Sequence, residues 1–327
     1  MTGPGQRMIQ AGFDEAGYGP LLGPLTLAAC RARTRPGTEL DDALAGALVR
    51  APRFSDGRLA VVDSKRIFTG PHRSERLETT ALSWLAACLG RVPKEFGEVL
   101  ALAPKGNGQE SELEEAPWFT EEPAGPIADL RLPRCADADA VAAHAAALRD
   151  EAHAAGVELL PPVVRVLPAC AFNARIGLMN NKAAVLFDAF GEVLSRVLEE
   201  ADGTSVHAVC DRHGGRRRYA PLLAGLFPFQ EVRVQYEGPG VSSYRVDDRL
   251  AVRFETKADD RHLLPAAASC VAKYVREVCL EAFNAWWAAR VPDLEPTAGY
   301  VTDGRRFLAD LGSHASSVPG AKLVRTR

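Results

Sequence analysis

Residues 8–13 form a short, mostly apolar run that stops at Asp14 and Glu15, the pattern of a strand with charge at its end. Gly17, Gly19, Pro20, Gly23 and Pro24 then punctuate a turn, and residues 25–30 predict a second strand returning antiparallel. Residues 59–62 are a third β candidate, leading into Asp63, Ser64 and Lys65. Over 74–89, Leu77, Leu82, Leu85 and Cys88 recur at helical spacing. An Ala-rich stretch over 140–155 predicts another helix, and 163–167 a strand. A long helix is expected over 181–198, with Val185, Leu186, Ala189, Val193 and Val197 along one face. Residues 206–210 are a compact apolar run ending at Asp211, as in a strand buried on both faces. Residues 232–236 and 250–254 alternate like half-buried strands, and 265–288 predict a further helix.

Early strands joined by a tight turn, followed by strands alternating with helices, indicate a mixed α/β sheet. The 327 residues read as a single domain, 1–327. Residues 92–160 differ in character, mixing Pro and Gly with an acidic run at Glu110, Glu112, Glu114 and Glu115. This stretch is read as an insertion or lobe, and the acidic run as a solvated face.

Composition narrows the function classes. Hydrophobic residues make up 47% and charged residues 25%, and the formal net charge is -3. No global basic field exists, so a nucleic-acid partner has to be met by local patches or by cations. Seven cysteines without a CxxC pair speak against zinc ribbons and disulfide frameworks. They fit free thiols in a reducing cytosol. The apolar stretch after the basic start is short for a signal peptide, and no run approaches bilayer length. A soluble, cytoplasmic protein is expected.

Two acidic residues that end two buried strands are a costly arrangement unless something positive compensates them. Hard oxygen ligands of this kind favour Mg²⁺ or Mn²⁺ over zinc. Adjacent strand residues point to opposite faces, but at a strand end the pleat breaks down and the Glu15 carboxylate can turn toward that of Asp14. Taken singly, Asp14 or Asp211 reads first as an Asx-turn or a helix cap, and Glu15 as solvated. The surrounding sequence carries the functional reading.

That surrounding sequence is Gly12-Phe13-Asp14-Glu15-Ala16-Gly17-Tyr18-Gly19-Pro20-Leu21-Leu22-Gly23-Pro24, then Asp63-Ser64-Lys65, Lys257-Ala258-Asp259, Ala267-Ala268-Ser269-Cys270-Val271-Ala272-Lys273 with Arg276-Glu277, and Gly299-Tyr300. In this order the segments resemble the motifs of the type 2 ribonuclease H family (ribonuclease HII). The resemblance touches about a third of the chain, spread from end to end. It implies a ribonuclease H-like mixed sheet with helices on both faces. It also implies Mg²⁺ or Mn²⁺ held by Asp14, Glu15, Asp211 and a fourth acid, whose place is occupied by Glu277. The implied reaction is hydrolysis of a phosphodiester on the 5′ side of a ribonucleotide in an RNA–DNA hybrid or ribonucleotide-containing duplex, leaving a 3′-hydroxyl. In the family the glycine-rich loop, here Gly17, Tyr18 and Gly19, frames the ribose 2′-hydroxyl, and Tyr300 matches a recurring Gly-Tyr pair.

Three features depart from the family pattern. Tyr18 stands where the family has Arg, replacing a guanidinium with a phenol that stacks or donates one hydrogen bond. Glu277 is one methylene longer than the family Asp, and Lys273 and Glu277 at i,i+4 also read as a surface pair. The stretch 92–160 and the basic turn Arg212-His213-Gly214-Gly215-Arg216-Arg217-Arg218-Tyr219 have no counterpart. Arg216 in that turn is read as a phosphate contact or as part of a solvated loop. Lys65 and Lys182 are further phosphate candidates, Asn181 is a cap for the long helix, and His213, read as solvated, has no assigned role. The alternative to the nuclease is a nucleic-acid-binding protein of the same fold with altered specificity or without turnover. A GxGxxG nucleotide cradle is set aside, because Gly17, Gly19 and Gly23 miss its spacing and Pro20 and Pro24 hinder its helix.

Overall fold

A computed structural model describes residues 7–326. The centre is a seven-stranded sheet built from β1 (Met8–Ala16), β2 (Leu25–Thr34), β3 (Glu158–Leu167), β4 (Val206–Asp211), β5 (Val232–Glu237), β6 (Val241–Val246) and β7 (Leu250–Glu255). The strand order is β3-β2-β1-β4-β7-β6-β5. β1 and β7 both run parallel to β4, while the remaining neighbours are antiparallel. The sheet is therefore mixed, as the sequence pattern predicts, and most of its pairings are antiparallel. The principal helices are α1 (Arg73–Leu89), α2 (Ala138–Ala154), α3 (Ala169–Met179), α4 (Lys182–Glu200), α5 (Leu263–Ala288) and α6 (Val301–Leu311).

The period-2 alternation of β1 decides which layer meets which face. Ile9, Ala11 and Phe13 point into a core completed by α4 through Val185, Ala189, Phe190 and Val193. Ala16, with Ala28, Cys30 and Ala32 of β2, points the other way, into a core shared with α1, α2 and α5. Helices thus cover both faces. On the α5 face the approach is unusually tight at Gly12, where an added Cβ would lie 2.1 Å from the Pro265 backbone nitrogen. Asn181 caps α4, its side chain accepting from the amides of Ala183 and Ala184.

Several local expectations are revised. Residues 59–62 do not extend the main sheet; only Leu59–Ala60 is extended, paired in parallel with Leu48–Val49. The strand expected at 163 begins at Glu158, inside the stretch read as an insertion. Buried residues of that stretch, among them Phe96, Trp118, Val141 and Leu148, belong to the same core as α1 and α5. Residues from this stretch also cover the outer edge of β3: Val164 N donates to Leu102 O (3.0 Å) and Val166 N to Gln109 Oε1 (2.6 Å). The acidic run is not merely a solvated face, because Glu112 pairs at 2.5 Å with Arg165, which is fully buried, and at 3.2 Å with Arg175. Among the described residues all seven cysteines are free thiols, and no helix is long and apolar enough to cross a membrane.

Candidate active site

The parallel pairing of β1 with β4 brings their C-terminal ends together. The last paired positions are Phe13 and Cys210, so Asp14 and Asp211 follow on neighbouring strands, whose spacing is about 4.8 Å. Beyond that point β1 continues to Ala16 bonded only to β2, which leaves Asp14 and Glu15 on an open edge facing the end of β4. Asp14 lies on the face covered by α5, where Ser269 of that helix is near enough to favour its charged form. Glu15, though opposite in the pleat, interacts with Asp211 and Lys65.

A fourth acid joins them from the chain that follows β7. Residues Ala258–Arg261 form one helical turn there. The amide of Ala258 donates to Asp211 Oδ1 at 3.0 Å, and Asp259 sits close enough to repel Asp14, Glu15 and Asp211. Asp63 borders the cluster beside Asp259. Its side chain accepts from the Lys65 amide and caps the turn Ser64–Ile67. The Lys65 ammonium faces the whole group: burial pulls its pKa down, but Asp63, Asp14, Asp259 and Glu15 together raise it above the ordinary lysine value.

The electrostatic signature is that of like charges held together. Burial, then the charges of Glu15, Asp259 and Asp211, push Asp14 well above the usual carboxylate range. Burial and the neighbouring Asp211 move Glu15 to about 8. Burial and the charges of Asp63 and Asp211 move Asp259 to about 6. Asp211 is raised by burial too, with the amide of Ala258 and the charge of Lys65 opposing it. Such a set stays protonated or takes up a cation. All its donors are hard carboxylate oxygens, which fits Mg²⁺ or Mn²⁺. Among the described residues, as they stand, no group of three or more His, Cys, Asp or Glu side chains is arranged so that it could hold a metal ion.

These shifts carry a sign for stability. Carboxylates whose pKa is raised by folding bind protons more tightly folded than unfolded, so stability falls as pH rises from about 4 through about 8. A cation that binds the deprotonated cluster reverses this loss. Mn²⁺ at hundredfold excess over its dissociation constant is expected to add about 2.7 kcal/mol. The resulting rise in melting temperature should be roughly 5 °C at pH 8 and close to zero at pH 5. An increment equal at both pH values, read by scanning calorimetry, would show that these carboxylates do not take the ion.

Glu277 stands apart from this group. It lies eight residues beyond Ser269 on α5, about 12 Å along the helix axis. Its Oε1 is engaged by Lys273 Nζ at 2.5 Å and Arg276 Nη1 at 3.4 Å. It lines a separate cleft with Phe68, Arg134 and Tyr274. In space Asp259, not Glu277, accompanies Asp14 and Asp211. Sequence reasoning placed Asp259 in a motif but gave it no role, since only the fold of the turn after β7 aims it at β4.

The glycine-rich loop closes one side of the site. Gly17 has φ +91° and leaves room for Pro24 O and the Arg276 guanidinium, both within 2.8 Å of where a Cβ would be. Gly19 is exposed with open space around it. Tyr18 is half-buried, with the Lys182 ammonium 4.9 Å from its ring centroid, and the charges of Glu15 and Arg216 both reach it. Tyr300 is 51% exposed over Arg276. Arg217 and Arg218 of the basic turn are exposed, whereas Arg212 is anchored on Gly238 O and Ser242 Oγ. His213 is not solvated. It is buried among Phe187, Phe190, Tyr219 and Phe254, and burial, aided by the Arg216 charge, pushes it down to about 3, so it is a neutral core residue.

No protein-family model matches the sequence, and no curated protein matches it significantly. Among solved structures, the chain is similar to ribonuclease HII in its complex with PCNA from Archaeoglobus fulgidus. The identity is 16% and the TM-score 0.42, over 98% of this chain and 95% of that one. It is similar to ribonuclease H2 from Pyrococcus horikoshii OT3 at 14% identity and a TM-score of 0.40, over 97% and 92% of the two chains. Bst-RNase HIII in complex with Mn²⁺ matches at 14% identity and a TM-score of 0.40, over 97% of this chain and 66% of that one. These structural neighbours are ribonucleases HII, H2 and HIII.

Proposed function

We propose that this protein is a divalent-cation-dependent endonuclease that hydrolyses phosphodiester bonds at ribonucleotides, in RNA–DNA hybrids or in duplex DNA carrying ribonucleotides. The observation that carries this reading is the meeting of Asp14, Glu15, Asp211 and Asp259 at the ends of two adjacent parallel strands. These four carboxylates are the groups that would hold Mg²⁺ or Mn²⁺. When bound, the ion supplies an acidified water and neutralises charge on the leaving 3′-oxygen.

The chain's own residues do the rest. The amides of Ala258 and Glu15 orient Asp211 and Asp14. Lys65 offsets part of the negative charge that an approaching phosphate would meet. The loop at Gly17, Tyr18 and Gly19 offers backbone at close range to the ribose. Tyr18, backed by Lys182, offers a ring and a hydroxyl where the family has Arg. Arg216, whose charge reaches Tyr18, would meet the phosphate backbone.

The test is a duplex with one embedded ribonucleotide, compared with the all-DNA duplex, in Mg²⁺ and in Mn²⁺. Cleavage on the 5′ side of the ribonucleotide, leaving a 3′-hydroxyl, is expected, with the all-DNA duplex intact. Failure to cut with either ion, or equal cutting of both duplexes, rejects the reading. Tyr18 favours the second reading, a binder without turnover; that protein would hold the hybrid with an affinity that falls steeply with salt and form no product.

A further inference from the structure

After α6 the chain runs back across the molecule, and Arg325 enters beneath the glycine-rich loop. Its side chain is only 2% exposed. One guanidinium nitrogen, Nη2, donates to the carbonyls of both Gly17 and Pro20. The Arg325 amide donates to Leu21 O at 3.0 Å, and the guanidinium lies 5.0 Å from the Phe172 ring centroid. Asn173 of α3 pins the same segment: its Nδ2 donates to the carbonyls of Ala321 and Val324, and its Oδ1 accepts from the Thr326 amide, each at 2.7 Å.

The loop is held from a second side as well. Arg276 of α5 donates through Nη2 to Leu22 O (3.3 Å) and Ala298 O (3.1 Å). The amides of Leu21 and Leu22 in turn donate to Gly299 O at 2.7 and 3.1 Å. The carbonyls of Gly17, Pro20 and Leu22 are therefore gathered inward onto two guanidinium groups.

Arg325 is an expensive way to fill this space. Among the described residues no carboxylate pairs with it, the charge that bears on it is the like charge of Arg276, and its Nε and Nη1 are buried without partners. A buried unpaired cation opposes stability, and an apolar side chain would fill the volume without that cost. What an apolar side chain lacks is a donor group able to collect two carbonyls at once, as Nη2 does with those of Gly17 and Pro20.

We propose that Arg325 is a positioning residue: the C-terminal segment is a clasp that fixes the backbone of Gly17, Tyr18 and Gly19 beside the acidic cluster and so sets how a nucleic-acid strand is seated there. The clasp stands on the contacts above, and only its consequence for substrate rests on the nuclease reading.

The experiment compares the full-length protein with Arg325→Ala and Arg325→Lys by hydrogen exchange and by steady-state cleavage of the ribonucleotide-bearing duplex. In Arg325→Ala the amides of residues 17–24 should exchange roughly tenfold faster or more, with peptides from β4 and α5 unchanged. Its KM should rise roughly tenfold while kcat stays within about threefold. Arg325→Lys keeps the charge and three donors, and should fall between the two; it serves alone if the alanine variant does not fold. Unchanged exchange in the loop overturns the clasp, and a loosened loop with unchanged KM overturns its role in seating substrate. Should the unmodified protein cleave nothing, the nuclease reading fails, while a loosened loop in Arg325→Ala still supports the clasp.

Discussion

Asp14→Asn should lower divalent-dependent cleavage by ~10³-fold or more, a loss of about 4 kcal/mol in transition-state stabilisation, without weakening the fold. Asp14 sits beside Asp211 on the neighbouring strand and is repelled by Glu15, Asp259 and Asp211. The amide keeps the shape and the contact with Ser269 but gives up one anionic ligand. Because burial and repulsion destabilise the charged form of Asp14 in the folded protein, its removal relieves the metal-free state at pH 8. The variant should then melt at or above the temperature of the unmodified protein without metal, and should lose most of the Mn²⁺-induced increment. A loss of activity accompanied by a gain in stability is the mark of a strained functional site. Cleavage that survives Asp14→Asn within tenfold would remove Asp14 from the metal-holding set. Asp211→Asn should behave in the same way, with a smaller gain in stability, since its carboxylate is already satisfied by the Ala258 amide.

Gly12→Ala should have the largest effect on stability. A methyl there would lie 2.1 Å from Pro265 N and 2.2 Å from Leu264 C, both in the backbone of the first turn of α5. No side-chain rotation relieves a clash with backbone, so the helix has to move away from the sheet. That movement opens the core shared by β2, α1 and α5 and carries Ser269 away from Asp14. The expected cost is roughly 3 kcal/mol or more, read as a lower urea midpoint with an unchanged slope. Activity should fall with it, since the helix positions the acid. A change below about 1 kcal/mol would mean that α5 does not press on β1 as described.

Much of the frame is legible in the chain because it is written in local periodicity. The apolar runs ending at Asp14 and Asp211, the amphipathic stripe of α4 with its Asn181 cap, and the long apolar α5 all follow from spacing alone. Other elements escape for physical reasons. In β6 the alternation is present, but one of its inward positions is Ser242, buried because it bonds Arg212 and the Arg217 carbonyl. Helix α3 is masked by Asn173 and Gly177, where Asn173 is spent on the C-terminal segment. His213 reads as a loop residue until Phe187, Phe190 and Phe254 arrive from distant parts of the chain to enclose it. Glu112 looks solvated until Arg165 of β3 reaches it.

What the sequence determined by itself is therefore most of the strands and the longer helices, the two strand ends that carry acid, and the glycine-rich turn beside one of them. Hydrophobic spacing is a local property, and these features need nothing else. Tertiary structure alone decided that β1 and β4 are parallel neighbours, so that Asp14 and Asp211 meet. It also decided that Asp259 accompanies them, and that Arg325 reaches the glycine-rich loop from 305 residues or more away. Those choices depend on which strands pair and where a helix crosses the sheet, and contacts of that range leave no periodic trace in the chain.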